Sequence, residues 1–259
     1  MQETVSFIKL IENRIKVGWN NPSICDYGEK AYTYGDVAKS IAQLHIIYSK
    51  AGIAKGDKIA MCGSNSSRWG IVFISALTYG AVPVPVLPDF QSDQIQNIVN
   101  HSDAELMFGT QSIYDRLHLK EMPHIKAFFN LEDFSLIQSD SADLQSAMEK
   151  LDSLFTEKYS AGFTPSDVIY SAEKSQDDMA MLNYTSGTSG FSKGVMIPFR
   201  ALYNNYFFSI STFPNGNMLS LLPMAHMYGL MFEFIFPFIA GNNVSILTRK
   251  PSPVMLNKA

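Results

Sequence analysis

The sequence predicts an α/β fold of mainly parallel sheets with helices on both faces, and three observations support it. Short apolar runs alternate with amphipathic helical stretches from Lys58 to Phe129, the pattern of successive βα units. Of the 259 residues, 46% are apolar and 17% charged, a balance that supports a substantial core. Beyond residue 178, two further apolar runs bracket a loop of glycine and small hydroxyl residues, a strand–loop–strand arrangement.

Taken in order, Val5 to Val17 reads as an amphipathic helix with Phe7, Ile8, Ile11 and Ile15 on one stripe. Ser23–Tyr27 and Lys30–Tyr32 read as a small hairpin around Gly28. Thr33-Tyr34-Gly35-Asp36 has the form of a capping box, opening a helix that stops at Gly52. Lys58 to Cys62 is then a strand, and Ser66 to Tyr79 a helix closed by Gly80. Val82 to Val86 is strand-like, but Pro83 and Pro85 confine it to an edge or to extended coil. Ser92 caps a helix through Asn100, Ala104 to Phe108 is a strand, a helix lies near Ile113 to Leu117, and Ile125 to Phe129 is a strand. The stretch 130–178 interrupts the pattern. It is acidic, with 15 Asp and Glu against 6 Lys and Arg from Asp103 to Asp178, and reads as a surface excursion holding one helix, Ala142 to Lys158, with Leu144, Met148, Leu151 and Phe155 inward. The sheet is expected to resume at Met179. After it come a helix over Phe199 to Ser211, a strand over Met218 to Leu222, a helix from Tyr228 to Phe236 ended by Pro237, and a strand over Asn243 to Leu247. Residues 1–178 are thus expected to form one α/β subdomain, with 179–259 holding the loop and the incomplete start of a second.

Charge and composition exclude several classes. A net charge of −4 and a pI near 5.7 give no general attraction for nucleic acid or anionic membrane. Cys25 and Cys62 lie in unrelated segments and read as buried free thiols of a reducing compartment, and the five histidines show no metal-ligand spacing. No secretory leader is expected, so the cytoplasm is the expected location. From Ala201 to Thr248 the only charged residue is Glu233, but the longest uncharged apolar part, Met218 to Phe232, contains Pro223, His226 and Gly229 and is shorter than the ~20 residues a span needs. Deep burial is the expectation there.

The loop from Thr185 to Gly194 holds three Gly, three Ser, two Thr, one Phe and Lys193. Glycines let backbone N–H groups turn toward an anion, the hydroxyls add donors, and the lysine supplies a point charge, a chemistry suited to a polyphosphate. The P-loop pattern G-x-x-x-x-G-K-[ST] does not fit: counted from Gly187 the second glycine falls on Ser192, and from Gly190 on Val195. A flexible Gly/Ser turn is the plain alternative.

Two stretches together resemble the adenylate-forming enzymes, which include acyl-CoA synthetases, luciferases and peptide-synthetase adenylation domains. The family's phosphate loop, Y-T-S-G-T-T-G-x-P-K-G-V, is similar to Tyr184-Thr185-Ser186-Gly187-Thr188-Ser189-Gly190-Phe191-Ser192-Lys193-Gly194-Val195, with Ser189 in place of Thr and Ser192 in place of Pro. The family's L-P-x-x-H-x-Y-G-L segment is similar to Leu222-Pro223-Met224-Ala225-His226-Met227-Tyr228-Gly229-Leu230. Their order and separation make the pair far more specific than either alone. Thr33-Tyr34, Asn65 through Trp69, and Ala76 through Pro85 are also similar to family segments, but read as caps and core and are assigned no chemistry.

The resemblance implies the truncated N-terminal domain of the adenylate-forming fold, most like that of a long-chain fatty acid–CoA ligase. In that reaction a carboxylate attacks the α-phosphate of Mg·ATP to give an acyl-adenylate and pyrophosphate, and a thiol, usually of coenzyme A, displaces AMP. Thr185, Ser186, Gly187, Thr188, Ser189, Gly190 and Lys193 would bind the nucleotide's phosphates, with Thr185 also a candidate ligand for Mg²⁺. His226 would sit by the substrate carboxylate or acyl pocket; without its flanking motif it reads as a core histidine. Phe232, Phe234, Phe236 and Phe238 read as core ahead of an acyl tunnel. The family's adenine- and ribose-binding segments and its catalytic lysine are absent from this chain. The expectation is therefore a fragment that is inactive alone and self-associates through apolar surface. An amino-acid or aryl-acid adenylation domain and a non-catalytic phosphate-binding or assembly module are the alternatives.

Overall fold

A computed structural model of the chain describes residues 6–171, 173, 175–185, 193–214 and 216–249. Helix α1 (Phe7–Val17) starts at Ser6, whose hydroxyl accepts from the Lys9 N–H at 3.3 Å, and its Phe7, Ile8, Ile11 and Ile15 are all buried. Strands β1 (Pro22–Asp26) and β2 (Tyr32–Thr33) pair antiparallel about Gly28, as their spacing predicts. The capping box closes as expected: the Asp36 N–H donates to the Thr33 hydroxyl at 3.1 Å and the Thr33 N–H donates to the Asp36 carboxylate at 2.9 Å, opening α2 (Tyr34–Lys50).

The alternation that follows matches the expected elements to within a few residues: β3 (Lys58–Cys62), α3 (Ser67–Tyr79), β4 (Val82–Val86), α4 (Ser92–His101), β5 (Ala104–Gly109), α5 (Gln111–Tyr114) and β6 (Ala127–Asn130). One cap differs. Gln91, not Ser92, precedes α4, because Gln94 reaches back to accept the Gln91 N–H at 3.0 Å. β4, β3, β5 and β6 run parallel to one another, and alternate residues face opposite layers. Ile59, Met61, Leu106 and Phe108 join the main core with α2 and α3, while Ala60, Cys62, Met107 and Phe128 pack with α4 and α5.

The two prolines of β4 act as the sequence predicts, at an edge of the hydrogen-bonded ladder, yet every residue of the strand is buried. The Val82 N–H donates to Asp57 O at 2.8 Å, toward β3. Residues 82, 84 and 86 therefore face β3, and positions 83 and 85, which lack an N–H, face the other way. A later strand packs on that side without joining the ladder.

The stretch 130–178 is not a surface excursion. Strand β7 (Leu136–Ser139) pairs antiparallel with β6 and completes a five-stranded sheet of order β4-β3-β5-β6-β7. The single expected helix is two, α6 (Ala142–Glu149) and α7 (Leu151–Lys158), separated at Lys150 (φ −109°, ψ 14°). The break serves two packing demands: Leu144 joins the main core, whereas Phe155 packs on Ala42 and Ile46 of α2. Short-range charge counts missed this because most of the acidic residues are exposed, while Leu144 and Phe155 face inward from the same helices.

Strands β8 (Met179–Thr185) and β9 (Lys193–Pro198) do not extend that sheet by hydrogen bonds. They form an antiparallel hairpin of their own, and β8 is the strand lying beside β4. Helix α8 (Phe199–Thr212) and strand β10 (Met218–Ser220) follow. The next helix is not ended by Pro237. Gly229–Ile235 winds as a π-helix and passes into α9 (Phe236–Ala240), where Pro237 occupies the first turn and its missing N–H is no loss; the stop is Gly241, at φ +97°. Strand β11 (Val244–Ile246) then inserts in parallel between β10 and β1, giving a second sheet of order β10-β11-β1-β2. Strands from both sides of residue 178 thus share one sheet. Phe234, Phe236 and Phe238 are fully buried between the layers, and Phe232 is half-buried. Among the described residues, no helix is long and apolar enough to cross a membrane, and Cys25 and Cys62 are buried free thiols.

Candidate active site

The hairpin holds the two ends of the glycine- and hydroxyl-rich loop. Thr185 and Lys193 are its last register partners, face to face across the ladder and both exposed. Ser186, Gly187, Thr188, Ser189 and Gly190 lie outside the described residues. The pair before them is built for close approach. Gly194 lies opposite Tyr184, and a Cβ there would come within 3.2 Å of the Tyr184 ring. The Tyr184 hydroxyl is 2.7 Å from His101 Nδ1 at the last turn of α4, with the rings edge-to-face at 5.7 Å. This bond ties the hairpin to the five-stranded sheet's helix layer. Burial first, and the negative charge of Asp103 second, push the Tyr184 phenol up to about 12, so it stays protonated and hydrogen-bonding. Lys193, at the loop end, is the one Lys or Arg in the two strands of the hairpin.

The second candidate segment forms a tight turn and the start of the π-helix. The His226 N–H donates to Pro223 O at 3.0 Å, and the Leu230 N–H donates to His226 O at 2.9 Å. Gly229 is required by backbone approach: a Cβ there would lie 2.6 Å from Pro223 O and 3.1 Å from Leu222 O. His226 is exposed, which removes the reading of a core histidine.

A cleft opens where the carboxyl ends of four strands from the two sheets converge. It encloses about 280 Å³ and is walled by Asn65 after β3, Leu87 and Pro88 after β4, Leu222 and Pro223 after β10, and Arg249 after β11. A more polar hollow of about 410 Å³ adjoins it, with Asp26, Arg68, Thr110 and Glu132 on its walls. Ligands of open α/β sheets bind at such carboxyl ends. The turn contributes Leu221, Leu222, Pro223 and Ala225 to the cleft wall, and His226 is not among the lining residues. The phenylalanine run does not line it either; Phe234 and Phe238 pack on each other at 6.1 Å inside the core.

Two residues given no chemistry from the sequence hold this turn. Asn65 Nδ2 donates to Leu222 O at 2.7 Å, and Asn65 Oδ1 accepts from the Met224 N–H at 2.8 Å. Glu233 Oε2 accepts from the N–H groups of Leu221 and Leu222 at 2.7 and 2.8 Å, with the Ser220 hydroxyl at 3.4 Å. The signal for Glu233 was its isolation as the one charge from Ala201 to Thr248. Asn65 gave none beyond its place in a short segment resembling the family.

The geometry thus comprises a layered α/β fold, a hairpin with Thr185 opposite Lys193, and a cleft beside a Pro-x-x-His turn. The AMP-binding enzyme family model matches residues 12–258, and the chain belongs to that family. Among curated relatives it is 28% identical over 210 residues to the 4-coumarate–CoA ligase-like 9 protein of Oryza sativa, covering 78% of this chain and 35% of that protein. It is 27% identical over 251 residues to the peroxisomal long chain acyl-CoA synthetase 6 of Arabidopsis thaliana, covering 92% of this chain and 34% of that protein. The chain therefore spans about a third of the length of these relatives. A fatty acyl-adenylate ligase from L. pneumophila, solved with acyl adenylate and pyrophosphate, superposes with a TM-score of 0.70 at 20% identity, covering 98% of this chain and 40% of that one. That likeness establishes the fold, the N-terminal domain of adenylate-forming enzymes.

Proposed function

We propose that these residues are the phosphate-binding and acid-facing part of an ATP-dependent acid–thiol ligase acting on fatty acids. A carboxylate oxygen of the acid attacks the α-phosphorus of ATP, the bond to the bridging oxygen breaks, and pyrophosphate leaves an acyl-adenylate. The sulfur of coenzyme A then attacks the acyl carbon and AMP departs. The observation that carries the reading is the Thr185–Lys193 pair at the loop end of the hairpin, in a chain of the AMP-binding family. Lys193 would set its ammonium against the β- and γ-phosphates, where charge must be neutralised as the bond breaks. Ser186, Gly187, Thr188, Ser189 and Gly190 would add hydroxyl and amide donors around them.

Mg²⁺ fits this set. A small hard cation that takes phosphate and water oxygens needs few ligands from protein, and the exposed Thr185 hydroxyl offers one. When bound, the ion neutralises phosphate charge. The acid would enter the cleft, whose Leu87, Leu221, Leu222 and Pro223 suit an alkyl chain, with His226 at the turn beside it. The long chain acyl-CoA synthetase among the relatives supports a fatty acid. The 4-coumarate–CoA ligase-like relative favours the second reading, an aryl acid. The reading assigns to these residues the pyrophosphate end of ATP and not completed turnover. The cytoplasm is the location proposed with it, and the long chain acyl-CoA synthetase relative, which is peroxisomal, supports the alternative compartment.

The test is calorimetric titration of the chain with Mg·ATP, alongside Lys193→Ala. A loss of affinity of about tenfold or more is expected, the worth of one charge-assisted contact. No binding by the native chain, or equal binding by the variant, refutes the reading. ATP–pyrophosphate exchange by a longer reading frame containing this chain, driven by dodecanoate, 4-coumarate or amino acids, separates the substrate classes.

A further inference from the structure

We propose that Asn65 and Glu233 are positioning residues: together they lock the 221–226 turn, and so decide the width of the carboxyl-end cleft and where His226 is presented. The proposal rests on the reading above only in calling that cleft a substrate site. The turn has a backbone problem to solve. It leaves β10 at Ser220, meets Pro223, which has no N–H, and has not yet reached the π-helix that begins at Gly229. Its free N–H groups at 221, 222 and 224 and its carbonyl at 222 have no strand or helix partner within the turn, and such groups are paired when shielded from water.

Two side chains from different layers supply what is missing. Asn65 stands just beyond β3 of the five-stranded sheet. Its carboxamide spans Pro223, accepting from residue 224 and donating to residue 222. Glu233 comes from the second turn of the π-helix, and one of its oxygens gathers two successive N–H groups, a small anion nest formed by Leu221 and Leu222. The Leu247 N–H adds a bond to Ser220 O at 2.9 Å from β11. The turn is thereby stitched to both sheets and to the helix that follows it. Four of the cleft's wall residues lie on this turn, so a shift of the turn moves the wall with it. Asn65 also lines the cleft itself, which places the tie at the site's edge. The requirement for glycine at 229 belongs to the same device, since the π-helix start lies directly against the carbonyls of Leu222 and Pro223.

The arrangement also accounts for Glu233 being the single charge in this region. A carboxylate accepts from two amides at once, more strongly than a neutral acceptor would. A glutamine oxygen at the same place retains the acceptor without the charge, and a leucine retains neither. For Asn65, aspartate keeps the acceptor for Met224 but loses the donor to Leu222.

The test uses the full chain with four variants, Glu233→Gln, Glu233→Leu, Asn65→Asp and Asn65→Leu. Amide hydrogen exchange is read residue by residue, with the His226 ring resonances and the melting temperature of each variant. Glu233→Leu is expected to speed exchange at Leu221 and Leu222 by about tenfold to a hundredfold and to shift the His226 ring signals. Asn65→Leu is expected to do the same at Met224. Glu233→Gln should restore most of the protection, and Asn65→Asp should protect Met224 while still shifting His226. If a leucine variant fails to fold, the Gln and Asp variants carry the comparison. Unchanged protection at the three amides, or a loss spread evenly along the chain with His226 unmoved, overturns the proposal. These readouts need no nucleotide, so they stand or fall separately from the ATP titration.

Discussion

Replacing Gly229 by alanine puts one methyl group where the turn's backbone already lies. The added Cβ would sit 2.6 Å from Pro223 O and 3.1 Å from Leu222 O. An ordinary carbon–oxygen contact needs roughly 3.4 Å, so the first clash is short by about 0.8 Å. The obstacle is backbone, not the end of a flexible side chain. The π-helix cannot simply withdraw, because Phe234 and the adjoining Phe236 are fully buried and Glu233 ties it to Leu221 and Leu222. The cost should therefore fall at the upper part of the range for overpacking, about 2–3 kcal/mol. For a chain of this size that corresponds to a fall in Tm of about 4–12 °C. Gly216→Ala is the internal control, since a Cβ there meets nothing within 4 Å and the backbone is not left-handed; its change should stay within about 0.5 kcal/mol. Thermal and urea unfolding of both variants decide the matter. A Gly229→Ala protein that melts with the native chain, or a Gly216→Ala protein equally destabilised, would refute the argument from backbone approach.

Three further outcomes are expected. His45 packs among Tyr48, Tyr79 and Tyr170, and burial lowers its pKa to about 4; its neutral form is the folded one, so its contribution is complete above about pH 6.5 and lost as pH falls toward 4, by about 3 kcal/mol in all, and His45→Gln should flatten that part of the urea-midpoint profile. Cys62 is buried with its thiol pushed up to about 12, and Cys25 is buried too, so Ellman's reagent should titrate neither thiol in the native chain at mild alkaline pH and both in denaturant. Phe208 and Tyr228 are 56% and 57% exposed, and Phe232 bridges their rings at 6.5 and 4.8 Å; we expect a second copy to cover this surface, with light scattering showing dimers that Phe208→Ser with Tyr228→Ser returns to monomer, and a native monomer at high concentration speaking against it.

Much of the fold is legible along the chain because its cues are local. The stripe of Phe7, Ile8, Ile11 and Ile15, the Thr33–Asp36 capping box and the Gly80 stop each act within a turn or two, and each appears where the residues place it. Even the prolines of β4 announce an edge, since a missing N–H is a property of the residue itself. The failures share a cause. The break at Lys150 depends on what Leu144 and Phe155 meet on α2 and in the core. The passage through Pro237 depends on a π-wound turn that the flanking helix tolerates. The reading of 130–178 as an excursion weighed outward charges and could not see β7 pairing with β6.

For the site, the residue order of the two motifs was enough to name the family and the chemistry it brings. Order along the chain says nothing about which groups hold them in place. Asn65 and Glu233 lie 157 positions before and 11 after the Leu222 they both bind, and nothing in either neighbourhood marks a partner so distant. The sequence alone therefore determined the layered α/β class and most of the helix ends, and its residue order is the basis for proposing Thr185–Gly194 as a phosphate motif, because propensity, capping and motif order are short-range. Only the tertiary structure decided that the hairpin stands apart from the ladder beside β4, that β11 enters between β10 and β1, and that two remote side chains lock the turn at the cleft. Those are settled by which surfaces meet once the chain has closed on itself.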